Sequence, residues 1–128
     1  MRLLLDTQAL LWLLSEDKRL GPKARATIAD PGNDVMVSVA SLWEIAIKVQ
    51  VGKLTADIPG IAVVSGQNDV ALLGVTVDHL TALTSLPRHH KDPFDHLLIA
   101  QAIVENATLM SDDHWMPSYP VPVISCSA

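Results

Sequence analysis

Six acidic residues lie directly beside short apolar segments, where their carboxylates could act as a group. They are Asp6, Glu44, Asp92, Asp95, Asp112 and Asp113. Carboxylate oxygens are the ligands that Mg²⁺ and Mn²⁺ prefer, and a single cysteine cannot build a thiolate site for a softer metal. One or two such ions polarise a phosphate and activate water, so hydrolysis of a phosphate ester is the chemistry that suits these residues best.

Two of these acids differ in how well an ordinary structural role explains them. Ser41 and Glu44 have the spacing of a capping box, in which Glu44 need only accept a hydrogen bond from the backbone amide of Ser41. Asp6 has no comparable explanation, because a carboxylate between the segments LLL and TQALLWLL is costly to bury unless something binds it. Asp6 is therefore the strongest single indication of a site.

The other four acids also fit structural roles. Asp92 precedes Pro93, which is typical of a helix start, and Asp95 would follow in the first turn, where the helix dipole favours it. Asp112 and Asp113 suit a turn after a strand. A structural role and metal binding thus remain open alternatives for all four residues: a helix start for Asp92 and Asp95, and a turn for Asp112 and Asp113.

Three histidines surround the same helix start, in the segment HHKDPFDH. A zinc site built from His89, His90 and His96 is disfavoured, because neighbouring histidines point apart and no cysteine completes a tetrahedron.

Short apolar runs alternate with segments of helical periodicity along the chain. The predicted strands are 2–5, 35–39, 71–77, 107–111 and 121–125, and the predicted helices are 7–14, 22–29, 41–51, 78–86 and 93–105. This alternation predicts one α/β domain over residues 1–128, with a parallel sheet of four to five strands and helices on both faces.

The predicted sheet brings the acids together. Ligands of open parallel sheets bind beyond the carboxyl ends of the strands, and four separate segments bring acids to that edge. Two carboxylates about 4 Å apart repel by roughly 4 kcal/mol at an effective dielectric constant of 20. A divalent cation would reverse the sign of that interaction, which favours a metal site over four unrelated structural roles.

Composition limits the partners and the compartment. The formal charge of −5 repels polyanions, so a nucleic-acid substrate would need local lysines, arginines or metal ions. The single cysteine, Cys126, excludes an internal disulfide and indicates a reducing compartment, so we expect a cytoplasmic protein. Asp6 interrupts the leucine-rich start, and no apolar run reaches the ~18 residues of a membrane span.

The predicted helix 41–51 carries apolar residues on two stripes. One stripe holds Leu42, Ile45, Ala46 and Val49, and the other holds Trp43, Ile47 and Val51. Two interpretations remain open: the helix lies buried between neighbours, or Trp43 and Ile47 face a second copy or a partner protein.

Four blocks in order resemble the PIN-domain ribonucleases, and most closely the VapC type of toxin from bacterial toxin–antitoxin pairs. They are LLLDTQALLWLL, VSVASLWEIAIKVQVGKL, HHKDPFDHLLIAQA and ATLMSDD, and the resemblance covers nearly the whole chain. It implies a parallel sheet, Mg²⁺ or Mn²⁺ at a carboxylate cluster, and hydrolysis of single-stranded or looped RNA. It also implies a VapB-like antitoxin that masks the site, and a homodimer.

The resemblance assigns roles to particular residues. Asp6, Glu44, Asp95 and Asp113 match the four family acids, and Ser111 stands where the family's last motif has threonine. These four acids are the implied metal ligands and catalytic residues, which activate a water for attack and leave 5′-phosphate and 3′-hydroxyl ends. Asp92 and Asp112 are the next candidates and would coordinate through water.

Basic residues before the acids are candidates for contacts with RNA. Arg88 and Lys91 would steer a phosphate towards the metals, with help from His89 and His90; the alternative is a solvated loop. The chain also departs from the family pattern, with Gln8 in place of a frequent histidine and His96 in place of arginine. The second change is expected to weaken a phosphate or partner contact.

Two other functions compete with this one. A haloacid-dehalogenase-like phosphatase would use Asp6 as nucleophile, but it expects an aspartate at the position of Gln8. A non-catalytic, protein-binding α/β domain would agree with the apolar helix around Trp43 and with the negative charge.

Overall fold

A computed structural model describes residues 1–128, with five strands and six α-helices. The strands are β1 (Arg2–Leu5), β2 (Asp34–Ser38), β3 (Val70–Leu73), β4 (Thr108–Met110) and β5 (Val123–Ile124). The helices are α1 (Thr7–Leu14), α2 (Pro22–Ala29), α3 (Val39–Gln50), α4 (Ile58–Gln67), α5 (Val77–Thr84) and α6 (Pro93–Val104), and a 3₁₀ turn spans Met116–Ser118. No helix has the length and apolarity that crossing a membrane requires.

All five strands run parallel in the order β3-β2-β1-β4-β5, with β1 at the centre. Leu5, the last residue of β1, pairs with Val37 of β2 and with Met110 of β4. The residues that follow these strands therefore lie side by side at one edge. The predicted α/β class and parallel sheet are confirmed.

The central strand divides the core between the two faces of the sheet. Leu3 and Leu5 pack on one face, with residues from α1 to α4, whereas Leu4 packs on the other face, with residues from α6. All three leucines are completely buried. The continuous leucine run of β1 thus follows from burial on both faces, as is usual for a central parallel strand.

Most predicted elements are found, and the differences have local causes. Helices 7–14 and 22–29 agree with α1 and α2 residue for residue. Helix α4 was not predicted, because Pro59 and Gly60 suggest a loop; the proline lies in the first turn, where its missing amide hydrogen costs nothing. The third predicted strand is too long at its end, because Thr76 caps α5 instead of continuing β3.

We predict that Leu98→Ala lowers the free energy of unfolding by about 2 to 5 kcal/mol. Leu98 lies on α6 against the sheet and is 1% exposed, so its removal leaves a cavity that the packed core cannot close. Chemical denaturation measures the change. Leu80→Ala is the matched control, because Leu80 is 47% exposed and its loss should cost less than about 0.5 kcal/mol. Equal losses in both variants would contradict the assignment of the core.

Candidate metal centre

Asp6 joins the central strand to the first helix. Its backbone amide donates to the carbonyl of Met110 at 3.1 Å, which ties the end of β1 to the end of β4. Its Oδ1 accepts from the amide of Ala9 at 2.7 Å and so caps α1. Asp6 is only 7% exposed. A buried carboxylate is thus fixed at the middle of the sheet edge.

Glu44 reaches the same edge from α3. The capping-box alternative is wrong, because α3 begins at Val39 and its cap is Ser38, whose Oγ accepts from the amide of Ala40. Glu44 Oε1 instead accepts from the hydroxyl of Thr7 at 2.6 Å. The glutamate is therefore fixed beside Asp6 by the residue that follows Asp6 in the sequence.

Asp92 and Asp95 belong to the start of α6. Asp92 is its N-cap, and Oδ1 accepts from the amides of Phe94 and Asp95 at 2.9 and 3.2 Å. Asp95 Oδ2 instead lies 3.1 Å from Nε2 of His90. The predicted helix start is confirmed for Asp92, and the same turn presents Asp95 to the site.

Asp112 and Asp113 follow β4 but differ in their contacts. Asp112 Oδ1 accepts from the amide of Cys126 and from the hydroxyl of Ser125, at 2.8 and 2.7 Å. Asp113 Oδ1 accepts from the amide of Trp115 at 2.9 Å. One oxygen of each carboxylate thus holds a loop, and the other accepts no hydrogen bond from the protein.

A cavity of about 290 Å³ collects all six acids that the sequence singled out. Half of its twelve lining residues are carboxylates: Asp6, Glu44, Asp92, Asp95, Asp112 and Asp113. Lys48 is the only cationic side chain in the lining, and its Nζ lies 3.7 Å from Glu44 Oε2. The protein thus leaves most of the negative charge of this cavity without a partner.

Two carboxyl groups in this cavity have raised pKa values, mainly because they are buried. Burial raises the pKa of Asp6, Asp112 and Asp113 add repulsion, and the Ser111 hydroxyl and the Ala9 amide offset part of the rise. Burial also raises the pKa of Asp95 to about 7; repulsion from Asp92 and Asp113 adds to the rise, and the hydrogen bond from His90 opposes it. A bound cation would relieve the cost of ionising both groups.

The donor set fits Mg²⁺ or Mn²⁺. It consists of carboxylate oxygens, and the unbalanced negative charge favours a cation over an anion. No three histidine, cysteine, aspartate or glutamate side chains are close enough to surround an ion directly. Mg²⁺ usually keeps several waters and takes few protein ligands, so a wide ring of carboxylates suits it better than it suits a zinc ion.

Arg88 and Lys91 lie outside the acidic cavity. They are exposed, form no ion pair, and line a separate cavity of about 530 Å³ with His89, His90 and Trp115. His90 belongs to this lining and also contacts Asp95, so the basic loop adjoins the acidic cavity.

One histidine does not have the role expected from the sequence, and another is buried. Both ring nitrogens of His90 already have partners, Tyr119 and Asp95, so the ring is not free to steer a phosphate. His96 is 7% exposed and packs beside Tyr119, and burial lowers its pKa. It therefore belongs to the core and offers neither RNA nor a partner a cationic contact.

The site includes residues that sequence reasoning missed. Thr7 and Lys48 contact Glu44, and both had a signal in the sequence: Thr7 follows Asp6, and Lys48 lies four residues after Glu44 on one helix. Tyr119 contacts the site through its hydrogen bond to His90, and no pattern in the neighbouring sequence predicts this contact.

Solved structures share this fold. The chain matches VapBC2 of Rickettsia felis bound to a promoter DNA fragment with a TM-score of 0.76 and 15% identity, over 98% of each chain. It matches VapBC-1 of nontypeable Haemophilus influenzae with a TM-score of 0.72 and 16% identity, over 100% of each chain. It also matches a DNA-bound VapBC of Salmonella typhimurium with a TM-score of 0.68 and 15% identity, over 98% of each chain.

Sequence comparison identifies the family. No curated protein matches the chain. The model of the PIN domain family, in contrast, matches residues 3–120, which is nearly the whole sequence. The chain belongs to the PIN domain family.

Proposed function

We propose that this protein is a metal-dependent endoribonuclease of the VapC toxin type. The observation that carries the proposal is the cavity at the carboxyl edge of a PIN-domain sheet, where six carboxylates face one lysine. Such a cavity repels RNA by itself and attracts divalent cations, so catalysis by the protein alone is the less suitable alternative.

Four acids are the proposed ligands and catalytic residues. Asp6, Glu44, Asp95 and Asp113 come from four separate elements, so each approaches the cavity from a different side. A bound Mg²⁺ or Mn²⁺ would supply polarisation of the phosphate and a water of lowered pKa. Hydrogen bonds from Ala9, Thr7, His90 and Trp115 engage one oxygen of each carboxylate. Because no three of the acids are close enough to surround an ion directly, some of them would act through metal-bound waters.

Asp92 and Asp112 are the weaker candidates for metal binding. Asp92 Oδ1 caps α6, and Asp112 Oδ1 fixes the backbone at Cys126. Their second oxygens are free to accept hydrogen bonds from metal-bound waters. Both residues therefore have a structural role whether or not an ion is bound.

RNA would approach from the side of the basic loop. Arg88 and Lys91 are exposed and unpaired, which leaves both side chains available for phosphate contacts. Their position next to Asp95, through His90, would set the RNA backbone at the rim of the acidic cavity. The loop supplies the local positive charge that a protein of net charge −5 needs for such a substrate.

A VapB-like antitoxin and a second copy of the chain are the proposed partners. The similar structures are VapBC assemblies by name, and a further match is named a toxin–antitoxin complex from Klebsiella pneumoniae, which supports an antitoxin as partner. Trp43 and Val51 of the α3 region are both 59% exposed, whereas Ile47 between them is half-buried, so a second copy could cover the two ends of the second apolar stripe. We place the protein in the cytoplasm, in accord with its single buried thiol at Cys126.

We predict that purified protein cleaves RNA only with a divalent cation, and that chelation lowers the rate by at least about 100-fold. The assay incubates structured RNA with Mn²⁺ or Mg²⁺, and then with an excess of chelator. A phosphate monoester serves as a second substrate under the same conditions. RNA cleavage without monoester hydrolysis is the expected result.

The contrary outcomes are distinct. Monoester turnover without RNA cleavage would indicate a phosphatase, and metal-independent cleavage would contradict the role of the carboxylates. A double variant that combines Arg88→Gln with Lys91→Gln provides a further check. Loss of two phosphate contacts should raise the KM for RNA, while the affinity for Mn²⁺ stays unchanged.

A further inference from the structure

A chain of hydrogen bonds runs from Tyr119 through His90 to Asp95. The hydroxyl of Tyr119 lies 2.7 Å from Nδ1 of His90, and Nε2 of the same ring lies 3.1 Å from Oδ2 of Asp95. The side chain of His90 is 8% exposed, and Tyr119 is 4% exposed. The connection is therefore largely shielded from solvent, and water does not readily replace its members.

Counting donors and acceptors fixes the direction of this chain. The hydroxyl of Tyr119 accepts from the backbone amides of His89 and His90, at 3.2 and 3.4 Å, so its own proton is left for Nδ1 of His90. A ring that accepts at Nδ1 carries its proton on Nε2 and donates it to Asp95. In the opposite tautomer Nε2 of His90 carries no proton, so it and an ionised Asp95 Oδ2 would both be acceptors and could form no hydrogen bond.

Packing holds the His90 ring in that orientation. Trp115 stacks against it with ring centres 5.8 Å apart and an angle of 11° between the planes. His96 meets it edge-on at 4.8 Å. Rotation of the imidazole away from Asp95 would disturb both contacts, so the donor stays aimed at the carboxylate.

Asp95 is thereby fixed at two points. Its backbone amide donates to the capping carboxylate of Asp92 at 3.2 Å, and its Oδ2 accepts from His90. Its Oδ1 accepts no hydrogen bond from the protein and belongs to a residue that lines the acidic cavity. One carboxylate oxygen is held, and the other is left for a ligand.

We propose that His90, oriented by Tyr119, is a positioning residue that holds the carboxylate of Asp95 for a divalent cation. Partners of this kind, one step removed from the ion, typically change metal affinity by about 10- to 100-fold when they are lost. The inference rests on the proposed metal site, but it concerns metal binding and does not need RNA cleavage.

The test compares two polar replacements of His90 with Mn²⁺ alone as the probe. His90→Gln can keep a donor near the position of Nε2, whereas His90→Asn can reach Tyr119 but leaves Asp95 without its donor. We expect a Mn²⁺ Kd about 10- to 100-fold higher for His90→Asn and a smaller rise for His90→Gln. Titration calorimetry, or electron paramagnetic resonance of the free ion, measures both values.

Two further variants complete the design. Tyr119→Phe keeps the aromatic ring and removes the hydroxyl, so it should raise the Kd by about 3- to 10-fold by freeing the tautomer of His90. Gln67→Asn is the control with unchanged affinity, because Gln67 is exposed at the end of α4 and does not line the acidic cavity. Circular dichroism and thermal unfolding verify that each variant is folded.

The outcomes separate positioning from general damage. Wild-type affinity in folded His90→Asn would overturn the proposal, and so would equal losses in His90→Asn and His90→Gln. In RNA cleavage, saturating Mn²⁺ should restore most of the kcat of His90→Asn, which a damaged fold would not allow. If the order of Mn²⁺ affinities is as expected but no variant cleaves RNA, the positioning role stands and the nuclease proposal fails.

Discussion

Asp6→Asn is expected to lower RNA cleavage on the order of 10³-fold or more while the protein stays folded. A 10³-fold loss corresponds to about 4 kcal/mol of transition-state stabilisation, which is a reasonable share for one central metal ligand. Asparagine caps a helix about as well as aspartate, so the hydrogen bond from Ala9 to residue 6 can persist. The substitution therefore removes the charge at the centre of the sheet edge and keeps the start of α1.

The matched control for Asp6→Asn is Asp69→Asn, which makes the same chemical change elsewhere. Asp69 is exposed and precedes β3, so it lies at the opposite edge of the parallel sheet from the cavity. Its φ of 57° is one that asparagine adopts readily. We expect unchanged cleavage for this control; activity of Asp6→Asn within about threefold of wild type would contradict a catalytic role for Asp6.

The sequence predicted which acids share the cavity better than it predicted the contacts that these acids make. Asp6 was identifiable because burying a charge between two leucine runs is costly unless something binds it. Its position after a strand also mattered, since a parallel sheet brings the ends of its strands to one edge. The role of Glu44 stayed ambiguous, because the capping-box spacing and a metal ligand require the same residue type. The observed helix start at Val39 excludes the capping box, and the metal-ligand role of Glu44 stays a proposal.

Contacts over long separations were beyond the sequence patterns. The pair of Tyr119 and His90 joins residues that are 29 positions apart, and no periodicity links them. His89 and His90 were therefore expected to assist a phosphate contact, although Tyr119 and Asp95 engage both ring nitrogens of His90. The same reason explains helix α4: Pro59 and Gly60 favour a loop locally, and packing of Ile61 into the core overrides that preference.

The geometry of the cavity indicates a conflict between function and stability. Asp6 and Asp95 are held at positions where burial and neighbouring acids raise the pKa of both groups. Without a cation, ionising these groups opposes folding, whereas with a cation the same arrangement is favourable. Loss of a proposed ligand should therefore cost activity and increase the stability of the metal-free protein.

Asp95→Asn tests this conflict directly and should change activity and stability in opposite directions. We expect cleavage to fall by about 10²- to 10³-fold, because one ligand loses its charge. In the metal-free protein at pH 8, we expect the free energy of unfolding to rise by ~2 kcal/mol, because the substitution removes the cost of ionising a carboxyl group whose pKa is raised mainly by burial. One pKa unit is worth about 1.4 kcal/mol, and solvent in the cleft lowers the full cost by roughly half.

The raised pKa of Asp95 also predicts how the stability of the metal-free protein changes with pH. The pKa of Asp95 is raised from 3.8 to about 7 in the folded state, so between these values the folded protein binds more protons than the unfolded one. Stability then falls as pH rises through this range. Denaturant titrations from pH 4 to 8, without metal, should show this decline in the wild type, a smaller decline in Asp95→Asn, and a wild-type decline in the Asp69→Asn control.

Addition of Mg²⁺ completes the argument about Asp95. At a concentration of about 100 times Kd, a single bound ion stabilises the wild type by about 2.7 kcal/mol, and it should stabilise Asp95→Asn much less at the same concentration. The wild type would then overtake the variant in stability only when metal is present. A metal-free Asp95→Asn protein that is less stable than the wild type at pH 8 would show that this carboxylate supports the fold, and the proposed conflict would be wrong.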